Sequence, residues 1–217
     1  MRLAVFDCDG TLVDSSHNIV TAMAETFARH GLEPPPAPRV RHVVGLSLGE
    51  AMAELLPEAG GADHAVLAGT YRTIYQRLRA EARLRPEPMF AGVAGLLERL
   101  VADGWLLGVA TGKSDRGLLH VLDGHGIRHH FASLHTADRH PSKPDPAMLL
   151  ACLADTGVGA EDAVIIGDTV FDIGMGRAAA VRAIGVSWGY HAPGQLLAAG
   201  AAAVAGDAAE LQALLDG

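Results

Sequence analysis

The chain has 217 residues, 49% of them hydrophobic, which is enough for one large domain or one domain carrying an insertion. Seventeen lysines and arginines stand against twenty-five acids, and the formal charge of -8 argues against general attraction to nucleic acid or to an anionic membrane. No charged leader with a long apolar run opens the sequence, and Cys8 and Cys152 show no metal-ligand or CxxC spacing, so a cytoplasmic protein with two buried, inert thiols is expected.

The first predicted element is a strand over Leu3 to Phe6, followed at once by Asp7-Cys8-Asp9-Gly10-Thr11. Ile19, Met23 and Phe27 then recur at helical spacing, with Gly31 as a stop signal. The proline-rich run Glu33 to Pro38 is expected to be a stiff loop. From Arg39 to Arg85 the pattern is helical, broken by turns at Gly45, Pro57 and Gly60-Gly61. After Pro86 strands alternate with helices, the pattern of a parallel sheet covered on both faces. Strands are predicted at Leu106 to Ala110, Ala132 to His135, Ala163 to Ile166, Ala183 to Val186 and Ala202 to Val204. Helices are predicted at Val93 to Asp103, Asp115 to Gly124, Pro146 to Asp155, Asp172 to Ala180 and Asp207 to Leu215. The fold class is therefore α/β, a Rossmann-like parallel sheet built from residues 1–14 and 86–217, with an all-helical insertion over 15–85. The insertion holds eight arginines and no lysine against seven acids, so all of the net negative charge belongs to the sheet domain.

Ligands of open parallel sheets bind beyond the carboxyl ends of the strands. Those ends here read Asp7-Cys8-Asp9, then Thr111-Gly112-Lys113-Ser114, then Gly167-Asp168-Thr169-Val170-Phe171-Asp172, and Ser142-Lys143-Pro144-Asp145-Pro146 precedes a helix. The only two lysines of the chain, Lys113 and Lys143, both fall in these segments. Neighbouring buried carboxylates repel unless a cation compensates. Carboxylate oxygens with a lysine and a hydroxyl beside them suit Mg²⁺ and a phosphate. An aspartate can also attack phosphorus itself while its neighbour handles the proton.

Two tempting motifs fail. Gly112-Lys113-Ser114 lacks the earlier glycine of a phosphate-binding P-loop, since position 107 is Leu107. Gly174-Met175-Gly176-Arg177-Ala178-Ala179 falls inside a predicted helix and not at a strand end, so its glycines are expected to serve close packing against the sheet. The eleven histidines offer no clean ligand spacing, and the arginines between Arg72 and Arg85 read first as a solvated helix face, with contact of one or two to an anionic substrate as the alternative.

The segments DCDGTLVDS, ATGKS, SKPDP and GDTVFD, in that order, resemble the four motifs of the haloacid dehalogenase superfamily over essentially the whole chain. The helical insertion resembles the cap of its phosphoglycolate phosphatase and β-phosphoglucomutase branch. The resemblance implies Asp7 as nucleophile, Asp9 as general acid and base, Thr111 and Gly112 as phosphate contacts and Lys143 as the neutralising cation. It implies Mg²⁺ held by Asp7, the Asp9 carbonyl and Asp168, with Asp172 orienting the metal's waters or Lys143. The Gly45-Leu46-Ser47-Leu48 turn resembles the cap loop that faces the active site, which makes Ser47 a candidate substrate contact.

Departures within the resemblance narrow the reaction. Asp9 argues against dehalogenation, and a cap without lysine argues against a phosphonoacetaldehyde Schiff base. Ile19 and Leu48 stand where β-phosphoglucomutases carry a histidine and an arginine. Hydrolysis of a small phosphomonoester, of phosphoglycolate type, is the leading expectation, for a monomer or homodimer without nucleic-acid or membrane partners. Pyrophosphate, nucleotide and sugar-phosphate substrates, a β-phosphoglucomutase-like transfer, and a phosphate sensor that turns nothing over are the alternatives.

Overall fold

The computed structural model describes every residue from Met1 to Gly217. Six parallel strands, β1 (Arg2–Phe6), β2 (Trp105–Thr111), β3 (Phe131–Thr136), β4 (Ala163–Gly167), β5 (Arg182–Val186) and β6 (Ala203–Ala205), form one sheet in the order β3-β2-β1-β4-β5-β6. The chain builds outward from β1 to one side and then crosses back to start β4 on the other. The reversal leaves a crevice between the ends of β1 and β4, the place where such sheets bind ligands.

Alternation along β1 assigns its residues to two cores. Ala4 and Phe6 pack with Leu107, Val109, Val164 and Ile166 beneath α5 (Val93–Ala102), α6 (Asp115–Gly124) and α10 (Ala208–Asp216). Leu3 and Val5 face the other way, onto α7 (Ala147–Thr156), α8 (Val170–Ala178) and α9 (Pro193–Ala199). Both faces of the sheet are covered, as its near-continuous apolar strands require.

Of the five helices between β1 and β2, the first four form the insertion: α1 (Ser16–Arg29), α2 (Ala37–His42), α3 (Leu48–Leu55) and α4 (Gly61–Ala80). They share a separate core of Met23, Phe27, Val40, Met52, Leu55 and Leu67. The proline run is not wholly loop: Pro36 caps α2 and Pro38 lies in its first turn, where no intrahelical N–H is needed. Helix α9 has no counterpart among the predicted elements, because only Leu196 of its seven residues is buried and Pro193-Gly194 reads as a turn.

Thirteen residues into the chain, Val13 forms an isolated bridge with Met89, and Asp14 N–H donates to the Pro88 carbonyl. The outgoing and returning strands of the connection are thus fastened side by side. Asn18 reinforces them, donating to the Arg85 carbonyl and to Glu87, which also accepts from the Tyr75 hydroxyl at 2.6 Å.

Of the two glycines of α8, Gly176 packs against the sheet as expected, whereas Gly174 meets the loop before α7. A Cβ at Gly176 would lie 2.6 Å from Ile165 Cγ2 and 3.0 Å from Ala183 Cβ, and one at Gly174 would lie 2.9 Å from Pro144 Cβ. Gly69, inside α4, has nothing within 4 Å of that position. Gly176→Ala should therefore lower stability by about 1–3 kcal/mol through overpacking, whereas Gly69→Ala should raise it by up to about 1 kcal/mol through helix propensity. Urea unfolding of the two variants checks this, and opposite signs are the expected outcome.

Candidate active site

Asp7 follows β1 directly, and its N–H continues the ladder by donating to the Ile166 carbonyl of β4. Its carboxylate is fully buried. Oδ1 accepts from the Cys8 N–H at 2.7 Å and lies 2.9 Å from Lys143 Nζ, while Oδ2 has no hydrogen-bond partner at all. Burying an acceptor without a partner is unfavourable, so Oδ2 marks a place made for something else.

Lys143 sits in the loop before α7 with no solvent access at its side chain, and its ammonium also donates to Asp172 Oδ1 at 2.6 Å. Burial alone would lower the Lys143 pKa, but Asp172 and Asp7 raise it well above its ordinary value, and it stays charged. Asp172 spends its other oxygen locally: Oδ2 accepts from the Thr169 N–H and hydroxyl, while Thr169 Oγ1 accepts from the Asp172 N–H. This capping box starts α8 and fixes the rotamer that meets Lys143.

Asp168 follows β4 and is equally buried. Its Oδ1 accepts from the Thr11 hydroxyl at 2.8 Å and its Oδ2 from the Tyr190 N–H at 2.9 Å. The backbone closes tightly around it. Gly10, at φ +83°, has a left-handed conformation that side chains disfavour, and a Cβ there would lie 2.2 Å from Asp168 Oδ2.

Asp7, Asp168 and Asp172 place carboxylate oxygens within 4.8 Å of one another. Burial, with Asp172 and Asp9 nearby, pushes the Asp7 pKa up to about 7 against the pull of Lys143, and burial with Asp172 and Asp7 drives Asp168 well above the usual range. One ammonium does not balance three buried carboxylates. The orphaned Asp7 Oδ2 and this excess of negative charge fit a divalent cation with oxygen ligands.

Asp9, two residues on, has different surroundings. Its Oδ1 accepts from the Ser15 hydroxyl and from Lys113 Nζ at 2.6 Å, and its carboxylate is not part of the acidic cluster. Burial would lower the Lys113 pKa, yet Asp9, with Cys8, Tyr75 and Glu87, holds it well above its ordinary value. Thr111 is buried at the end of β2 and its hydroxyl accepts from the Lys113 N–H. Gly112 admits the insertion: a Cβ there would lie 2.4 Å from the Leu46 carbonyl oxygen. Ser47 caps α3 by accepting from the Glu50 N–H, and its own N–H donates to the Ser142 hydroxyl at 2.7 Å, next to Lys143.

All the residues singled out from the sequence thus meet at one end of the sheet. Four further participants were not singled out: Thr11 and Tyr190 on Asp168, Ser15 on Asp9, and His191. His191 donates from Nε2 to the His42 carbonyl of the insertion and accepts at Nδ1 from the Val170 N–H, which ties the insertion to the start of α8. Thr11 carries a sequence signal, standing two residues after Asp9; the other three acquire partners only through the tertiary fold. The histidines near β3 serve elsewhere, His135 bonding to His140 and Asp155.

The family described as haloacid dehalogenase-like hydrolase matches residues 4–186. The curated protein "Probable phosphatase IndB" of Dickeya dadantii is 34% identical over 201 residues, covering 91% of this chain and 86% of its own. A phosphoglycolate phosphatase of Agrobacterium fabrum is 32% identical over 193 residues, covering 87% and 81%. Among solved structures, a hydrolase from Pseudomonas syringae superposes with a TM-score of 0.86 at 26% identity, covering 100% of this chain and 98% of that one. With the family match spanning most of its length and the four sequence segments meeting at the switch point of its sheet, this chain belongs to the haloacid dehalogenase-like hydrolases.

Proposed function

We propose that the protein hydrolyses a small-molecule phosphomonoester of phosphoglycolate type, that is, a phosphorylated hydroxy acid, through a phosphoryl group carried on Asp7. The observation that carries this reading is the separation of two aspartates only two residues apart: Asp7 lies against Lys143 in the buried acidic cluster, while Asp9 turns away toward Lys113 and the insertion. The relatives named phosphoglycolate phosphatase support the substrate class.

Asp7 forms a bond from a carboxylate oxygen to phosphorus as the ester oxygen departs, and Asp9 gives that oxygen its proton. Water then attacks the phosphorylated Asp7, and Asp9 takes the proton that it will give to the next leaving group. Lys143 holds the attacking carboxylate in place and offsets phosphate charge, and Thr111 with the Gly112 backbone contacts the phosphate from β2. Mg²⁺ would be held by Asp7, Asp168 and the Asp9 carbonyl, with Asp172 behind them, and would supply neutralisation of the phosphate oxygens. The close approach of Leu46 to Gly112 and the Ser47–Ser142 contact set the insertion over this site.

Asp7→Asn removes the nucleophile and should abolish turnover with the circular dichroism spectrum unchanged; near wild-type kcat in that folded variant would refute the mechanism. Asp9→Asn should cost about 10² to 10⁴ in rate on alkyl phosphates and much less on aryl phosphates, whose leaving groups need no proton. An equal loss on both at the chemical step would remove Asp9 from the leaving-group role.

The raised Asp7 pKa gives a third test. Without metal, native Asp7 keeps a proton between about pH 4 and about 7 that the unfolded chain has released, so its contribution to stability is full at the low end and is lost as pH rises through about 7. Metal binding requires that proton to leave. Adding Mg²⁺ should therefore raise Tm more at about pH 8 than at about pH 6, and equal shifts would separate Asp7 from the metal.

A further inference from the structure

A cavity of about 500 Å³ opens between the insertion and the sheet. Asp9, Gly112, Lys113 and Ser114 line it, whereas Asp7, Lys143, Asp168 and Asp172 do not. The cavity thus touches the group assigned to protonate the departing alcohol and not the group assigned to attack phosphorus. It is the space available to the leaving group.

Its walls are of two kinds. Ile19, Met23, Val40, Val43, Leu48 and Ala51 give an apolar surface from α1, α2 and α3. Tyr71 and Tyr75 of α4, with ring centroids 5.8 Å apart, continue it. Arg72 and Arg79 of α4 and Arg116 of α6 then line the same cavity, and none of the three is in an ion pair. The Arg79 Nε is buried without a hydrogen-bond partner, while its guanidinium carbon lies 5.3 Å from the Tyr75 ring centre. The acids on the walls are already engaged, Asp9 by Lys113 and Asp138 by the Asp115 N–H. The reading of these α4 arginines as a merely solvated face does not hold for Arg79.

The alcohol of phosphoglycolate is small for this space. Even at about 30 Å³ for each non-hydrogen atom, hydroxyacetate fills only about 150 Å³. It also has no apolar body to cover the α1 to α3 wall. We propose that the preferred leaving group is a larger hydroxy acid, with a ring-sized apolar body against Ile19, Met23 and Leu48 and an anionic end among Arg72, Arg79 and Arg116. This rests on the phosphomonoesterase reading above and specifies its substrate class.

The test is a set of phosphomonoesters of alkyl alcohols assayed with the Mg²⁺-loaded protein: ethyl phosphate, phosphoglycolate, benzyl phosphate and 4-carboxybenzyl phosphate, with p-nitrophenyl phosphate as a general phosphatase substrate. The kcat/KM for benzyl phosphate should exceed that for ethyl phosphate by about tenfold or more, and 4-carboxybenzyl phosphate should lead the set. Arg79→Met should lower the ratio of 4-carboxybenzyl to benzyl phosphate by about fivefold. Leu48→Trp, which fills the cavity, should lower the ratio of benzyl to ethyl phosphate by about tenfold. Each ratio is taken within one variant, so a partly unfolded preparation leaves it unchanged. A lead for phosphoglycolate over both benzylic esters, with p-nitrophenyl phosphate turned over, would overturn the leaving-group proposal alone. Equal losses on all esters in Arg79→Met would show that the arginine attracts only the phosphate and would overturn the anionic end. No turnover of any ester, p-nitrophenyl phosphate included, would instead overturn the phosphatase reading itself.

Discussion

Lys143 lies between Asp7 and Asp172 with all three side chains removed from solvent, and the rest of the molecule is arranged around that contact. Removing either partner from such a buried pair leaves an uncompensated charge at a cost of about 3–5 kcal/mol. The pairing holds only if three separate segments arrive together. β1 delivers Asp7, the loop before α7 delivers Lys143, and the first turn of α8 delivers Asp172 through its own capping box. Asp168 adds a third carboxylate, held by Thr11 and Tyr190 and enclosed by Gly10. The sheet and its two apolar cores provide the rigidity that keeps these charges close, and the excess of negative charge is what a cation would balance.

A second constraint follows from having Asp9 so near. Because Asp7 is committed to the acidic cluster, Asp9 can do different work only if its surroundings differ, and Lys113 and Ser15 provide the difference. Both belong to the seam between sheet and insertion: Ser15 precedes α1, and Lys113 lies beside Gly112, where the Gly45 to Ser47 turn comes down. The fastened connection at Val13 and Met89, with Asn18 and Glu87 behind it, lets the insertion sit on the site without disturbing β1. The different surroundings of the two aspartates and the seating of the insertion are one arrangement.

Much of this was legible in the sequence because the chemistry follows strand ends. Asp7, Thr111 and Asp168 stand at or immediately after apolar runs, and the scarcity of lysine made Lys113 and Lys143 conspicuous. The parallel sheet was legible for the same reason, since buried strands such as Ala163 to Gly167 are continuous apolar segments. What stayed hidden has no local signature. Tyr190 contributes a backbone N–H to Asp168, and His191 a ring nitrogen to a carbonyl of α2, through contacts made by folding alone. Helix α9 buries too little for a periodic pattern, and Pro38 resembles a loop residue although a first helical turn accepts it. The cavity was equally hidden, because its wall draws residues from five helices, α1 to α4 and α6, that only the tertiary fold brings together.

The central claim is that Asp7 carries the phosphoryl group between two successive displacements. The stereochemical course at phosphorus tests it most directly, using a phosphorothioate monoester made chiral with two oxygen isotopes and hydrolysed in water carrying the third, so that the thiophosphate released is itself chiral. Two in-line displacements, first by Asp7 and then by water, invert the centre twice, so the account predicts net retention. Net inversion would mean a single attack by water and would contradict it.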